Sequence, residues 1–132
     1  MKDLFIALVE DDEDDAQLLK EVFENYHSVS IKHFLTGQSF LDELNGDLPC
    51  LIVLDINLPD IQLKDMIHTI RSHKLMGLIP IIVYSTNFSP AQQESCERHN
   101  IELFRKPNSL KEWDDLALVM AMHCDHSLLK HD

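Results

Sequence analysis

The chain has 132 residues, the length of one ordinary domain, and 45% of them are hydrophobic, enough to bury a core. A net charge of −12, from 23 Asp plus Glu against 11 Lys plus Arg, repels nucleic-acid phosphates and argues against DNA or RNA as a ligand. No apolar run approaches the roughly 20 residues of a membrane span, no signal-peptide stretch opens the chain, and Cys50, Cys96 and Cys124 form no CxxC, so reduced thiols in a cytoplasmic protein are expected.

Leu4 to Val9 is a continuous apolar run, as a strand buried on both faces requires. Asp14 to Tyr26 reads as a helix with Leu19, Val22, Phe23 and Tyr26 on one side, and Val29 to Phe34 alternates like an outer strand. Thr36 can cap a helix holding Phe40, Leu41 and Leu44 that Asn45-Gly46 ends. Leu51 to Leu54 is a second fully buried strand. Gln62 to Lys74 is a helix burying Leu63, Met66, Ile67 and Ile70. Pro80 opens the strand Ile81 to Tyr84, a position that tolerates proline. Ser89-Pro90-Ala91-Gln92 predicts a capped helix start, Glu102 to Arg105 a short strand, and Ser109 with Glu112 a second capping box for a helix to about His123. The pattern is βα five times over, with residues 1–124 as the domain and 125–132 as a short tail. It implies a parallel sheet with helices on both faces, whose strand carboxyl ends share one edge, where ligands bind.

Chemistry-bearing residues fall at that edge. Glu10-Asp11 follow the first strand, Asp55 the third, Ser85 the fourth and Lys106-Pro107 the fifth. In a doubly wound sheet the first and third strands are neighbours, so three carboxylates meet and repel unless a cation or protons intervene. Hard oxygen donors, few in number, suit Mg²⁺ with its retained waters. A carboxylate at a strand end can accept a phosphoryl group as an aspartyl phosphate, and a hydroxyl and a mobile ammonium beside it suit a tetrahedral dianion. Alone, Glu10-Asp11 could equally decorate the helix start within the run Glu10 to Asp15. Four strand ends that agree favour a site.

At this point the chain resembles the receiver domain of bacterial two-component response regulators, in particular stand-alone receivers, over essentially residues 3 to 124. The matching pieces are Leu-Val-Glu-Asp-Asp, Leu-Asp-Ile-Asn-Leu-Pro, Ile-Val-Tyr-Ser-Thr and Arg-Lys-Pro, in order and at the family's spacing. The resemblance implies a flavodoxin-like α/β fold, a doubly wound five-stranded parallel sheet of order 2-1-3-4-5 with five helices. It implies Asp55 as phosphoacceptor, Asp11 as a direct Mg²⁺ ligand, Glu10 as its water-mediated neighbour and the Asn57 carbonyl as a third ligand, with Asp12 able to assist. Ser85 matches the hydroxyl that swings to the phosphate, Lys106 matches the lysine that pairs with its oxygens, and the Lys106–Pro107 bond is expected to be cis, which proline makes accessible. Two departures stand out. Leu63 replaces the family's glycine before the third helix. Leu103 replaces an aromatic three positions before the lysine, while Phe104 points to the other face.

The expected function is a single-domain response regulator. It takes a phosphoryl group from a histidine kinase or phosphotransfer protein onto Asp55 and signals to a downstream protein by contact around helix four, strand five and helix five. It is not an enzyme beyond its own phosphorylation and slow autodephosphorylation. The alternatives are a phosphorylation-independent binding module of the same fold and an aspartate-based phosphatase, which would need a second acid where Asn57 stands. Eight His are scattered, and His123 with His126 reads as a solvated helix end before it reads as a zinc site. On the last helix Leu110, Trp113, Leu116, Ala117, Met120 and Ala121 are expected in the core. Leu118 and Met122 lie roughly opposite, on a surface for a partner or a homodimer.

Overall fold

A computed structural model describes residues 4–23, 26 and 28–125. Five strands, β1 (Leu4–Val9), β2 (Val29–Phe34), β3 (Leu51–Asp55), β4 (Ile81–Ser85) and β5 (Glu102–Arg105), form one parallel sheet in the order β2-β1-β3-β4-β5. The helices are α1 (Glu13–Phe23), α2 (Gly37–Leu41), α3 (Leu63–Ser72), α4 (Pro90–Arg98) and α5 (Leu110–Cys124), with a 3₁₀ turn at Met76–Leu78. This is the doubly wound architecture that the alternating pattern predicts.

The period of two along each central strand divides the core in two. Ala7, Val9, Ile52, Leu54, Ile81 and Val83 face α2, α3 and α4 with Phe40, Met66, Ile67, Ile70 and Cys96. Ile6, Leu8, Leu51, Val53, Ile82 and Tyr84 face α1 and α5 with Leu19, Phe23, Trp113, Leu116 and Met120. Strands β3 and β4 are buried along their whole length, which is why they read as unbroken apolar runs.

The caps fix where the helices begin. Asp12 accepts from the N–H groups of Asp14 and Asp15 at 2.9 and 3.1 Å and so starts α1. Thr36 with Ser39 and Ser89 with Gln92 make complete capping boxes. Ser109 accepts from the Glu112 N–H at 3.2 Å, so only one half of the box expected there forms. The Asp60 carboxylate reaches across from the β3–α3 loop to the N–H groups of Gly37 and Gln38 at 3.0 and 2.9 Å. Gly37 lies so close under Ile61 that a Cβ there would collide with it.

Three expectations are corrected. Cys50 and Cys124 form a disulfide, with Cα atoms 5.1 Å apart across 74 positions of sequence, while Cys96 is free and buried. Helix α5 runs back along the sheet and brings its end to the start of β3, a juxtaposition that no local spacing announces. The described peptide bonds are all trans, the one before Pro107 included. Leu110, expected in the core, is 67% exposed at the first turn of α5, whereas the other five core residues named on that helix are buried. Asp12 spends its carboxylate on the helix cap. Leu118 is 41% exposed and Met122 half-buried. His126 and all but Asp125 of the tail lie outside the described residues.

Candidate functional site

Strand register assembles the site. Val9 pairs with Leu54, and Asp55 pairs with Tyr84, which in turn pairs with Phe104. Glu10, one residue past Val9, therefore stands beside Asp55 on the α1/α5 face, and Tyr84 stands on the other side of Asp55. Glu10, Asp55 and Ser85 are the three buried polar or charged residues among those described. Asp11 is exposed, and its carboxylate comes together with those of Glu10 and Asp55, ligand oxygens within 4.8 Å of one another. That donor set, three carboxylates with two of them walled off from solvent, fits a small hard cation.

Lys106 projects into this group from the end of β5. Its backbone N–H bonds the Ser85 carbonyl at 3.0 Å, fixing where the side chain starts. Its ammonium lies 2.9 Å from Glu10, 2.8 Å from Asp15 and 3.1 Å from Asp55. Asp55 also accepts from the Asn57 N–H at 3.0 Å. The Asn57 side-chain amide donates to the Ser85 hydroxyl at 3.1 Å, and that hydroxyl donates to the Asn87 carbonyl at 2.7 Å. Ser85 is thus next to Asp55 but engaged with the β4–α4 loop.

The electrostatics follow from crowding in a dry place. Burial pushes the Glu10 carboxyl up to about 8, helped by the hydrogen bond it shares with Asp55 and resisted by Tyr84 and Lys106. Burial also works against an ionised Asp55, but the bonds from Glu10, the Asn57 N–H and Lys106 outweigh it and hold Asp55 below the usual carboxylate range. Burial likewise disfavours the Lys106 ammonium, yet hydrogen bonds to Asp15 and Glu10 prevail and raise it.

The structure brings Glu10, Asp11, Asp55, Ser85 and Lys106 together at the strand ends, with Asn57 of the β3–α3 loop beside them. Sequence reading missed two more. Asp15, on the first turn of α1, is the closest partner of Lys106. Tyr84 is fully buried, and its hydroxyl donates to Glu10 at 2.5 Å. The signal for Tyr84 was present, a lone hydroxyl in an apolar strand on the face that alternation assigns to Glu10 and Asp55. Leu63 begins α3 and is buried, and Leu103 and Phe104 pack on opposite faces of the sheet as expected. No helix among the described residues is long and apolar enough to cross a membrane.

The chain is similar to known proteins in sequence and in fold. Over 90 residues the chain is 29% identical to the response regulator Rcp1 of Synechocystis, a match that covers 62% of this chain and 61% of that protein. The chain thus spans under two thirds of that relative's length. The fold is similar to that of the phosphorylated cyanobacterial phytochrome response regulator RcpA, with TM-score 0.79, 22% identity and 92% and 93% of the two chains covered. It is also similar to the Mn²⁺-bound form of Rcp1, with TM-score 0.76, 23% identity and 90% and 92% covered. Residues 6–116 match the response regulator receiver domain, and the chain belongs to that family.

Proposed function

We propose that the protein is a response regulator that accepts a phosphoryl group on Asp55, in a Mg²⁺-dependent reaction, from a histidine kinase or phosphotransfer protein. The observation that carries this is the Lys106 ammonium 3.1 Å from the buried Asp55 carboxylate at the meeting of three strand ends. The Asp55 oxygen attacks phosphorus, the bond from phosphorus to the donor imidazole nitrogen breaks, and the nitrogen leaves with the electron pair. Asp55, held ionised by Lys106 and the Asn57 N–H, is the nucleophile. Asp11, Asp55 and the Asn57 carbonyl would hold Mg²⁺ directly, and Glu10 would hold it through a water. Bound there, Mg²⁺ supplies charge neutralisation at the phosphoryl oxygens. Lys106 pairs with one of those oxygens as Asp55 is consumed. The Ser85 hydroxyl turns from the Asn87 carbonyl to another, which releases the β4–α4 loop.

The protein acts in the cytoplasm and signals by contact. Phosphorylation biases a two-state surface around α4, β5 and α5. The half-exposed Leu118 and Met122 support a contact on α5 for a downstream protein or a second copy. The test is mass spectrometry after incubation with acetyl phosphate and Mg²⁺. One phosphoryl adduct should form, and Asp55→Asn should abolish it. An unmodified wild type would favour a binding module that works without phosphate, and an Asp55→Asn protein labelled like the wild type would place the acceptor elsewhere.

A further inference from the structure

Tyr84 is the one side chain of β4 on the α1/α5 face that carries a hydroxyl, and it holds together groups that function should separate. A fully buried tyrosine hydroxyl needs a partner. This one takes Glu10, whose Oε1 also receives Lys106 at 2.9 Å and whose Oε2 receives the Asp12 N–H at 3.3 Å. Three donors therefore fix the plane of the Glu10 carboxylate. The Lys106 ammonium lies 5.0 Å from the centre of the Tyr84 ring, within cation–π range. The ring also meets Trp113 edge to face, with centroids 6.4 Å apart and planes at 82°. Trp113 is buried on the first half of α5. One rigid side chain thus touches a carboxylate of the acidic cluster, the lysine beside the acceptor and α5. The Leu103 side chain packs on the opposite face of the sheet.

We infer that Tyr84 is a positioning residue: its hydroxyl sets the Glu10 carboxylate for a divalent cation, and its ring carries the occupancy of the site to α5 through Trp113. The inference rests on the reading that Glu10, Asp11 and Asp55 take such a cation. A hydrogen bond from outside the ligand set orients a carboxylate ligand, and its loss typically weakens metal binding ten- to a hundredfold. A cation that draws on Glu10, or a phosphoryl group that draws Lys106 off the ring, changes the forces on one face of Tyr84. The ring also packs edge to face with Trp113, so it cannot shift without repacking that contact.

Trp113 is the sole tryptophan, so its emission reports this contact without interference. The experiment titrates the full chain with Mg²⁺ and follows Trp113 emission, with calorimetry as an independent measure of affinity. In the wild type, emission should change as Mg²⁺ binds. Tyr84→Phe keeps the ring and removes only the hydroxyl, and its Mg²⁺ affinity should fall about tenfold. Tyr84→Leu should in addition lose the emission response at saturating Mg²⁺. If that variant does not fold, as its circular dichroism would show, Tyr84→Phe decides alone. Wild-type Mg²⁺ affinity in Tyr84→Phe would overturn the positioning role, and Mg²⁺ binding with unchanged Trp113 emission in the wild type would overturn the transmission. A wild type that binds no Mg²⁺ by calorimetry would overturn the cation reading itself, and this inference with it, so the two failures are told apart.

Discussion

Lys106 lies closer to Asp15, at 2.8 Å, than to Asp55, at 3.1 Å. The ammonium that should meet an incoming phosphoryl group is shared with a carboxylate from another element, the first turn of α1. Asp15→Asn should free it and remove one negative charge from the path of an anionic donor, both in the same direction. Labelling of Asp55 by acetyl phosphate should speed up roughly fivefold, the equivalent of about 1 kcal/mol. Time-resolved mass spectrometry checks it. A slower Asp15→Asn protein would mean that Asp15 assists Lys106.

Without metal, stability should fall as pH rises. The folded Glu10 carboxyl titrates near 8, well above its ordinary 4.5, so between those values the folded chain keeps a proton that the unfolded chain has lost. Folding therefore loses ground from about pH 5 to about pH 8.5, and Tm should drop by several degrees. Asp55, held low, acts in the opposite sense and only on the acid side of its ordinary value. Millimolar Mg²⁺ should cancel the fall by binding only the folded chain. Thermal melts of wild type and Glu10→Gln decide it. The variant should show a flatter profile, and a flat wild-type profile in chelator would contradict the prediction.

The link between the β3–α3 loop and α2 offers a purely structural test. Asp60→Ala removes the acceptor for two helix N–H groups and should cost about 1 kcal/mol. Gly37→Ala drives a methyl into Ile61 and should cost about 1–3 kcal/mol. Urea melts measure both. Because the two changes touch one contact, the double variant should lose less than the sum.

Strand count, strand direction and the strand-end residues were legible because each rests on a local signal. Fully buried strands leave apolar runs, and the residue after each run lies at the sheet edge by topology alone. What stayed hidden depends on contacts between elements. Asp15 looked like one more charge in an acidic run, and only the reach of the Lys106 side chain from the end of β5 gives it a partner. Tyr84 passed for a core aromatic because period two says which face it takes and nothing about who stands there. Leu110 fell on the apolar side of its helix but sits at the first turn, beyond the sheet it would have covered.

The Cys50–Cys124 disulfide lends itself to a direct measurement. It closes a separation of 74 residues, so reduction or Cys124→Ser should lower stability by about 2–4 kcal/mol, to be read from urea melts with and without reductant. Equal midpoints in the two conditions would mean that the thiols are not joined in solution.

That bond also makes α5 a lever with one pinned end. The helix has 15 residues, a length of about 22 Å, and its final residue is tied covalently to the root of β3. It cannot slide along the sheet, so it must pivot about its carboxyl end. A tilt of about 5° there swings the opposite end by about 2 Å. That free end follows directly on Lys106-Pro107. The largest travel in the helix therefore falls next to the sheet edge that holds Asp55, and cutting the bond would trade a pivot for a drift.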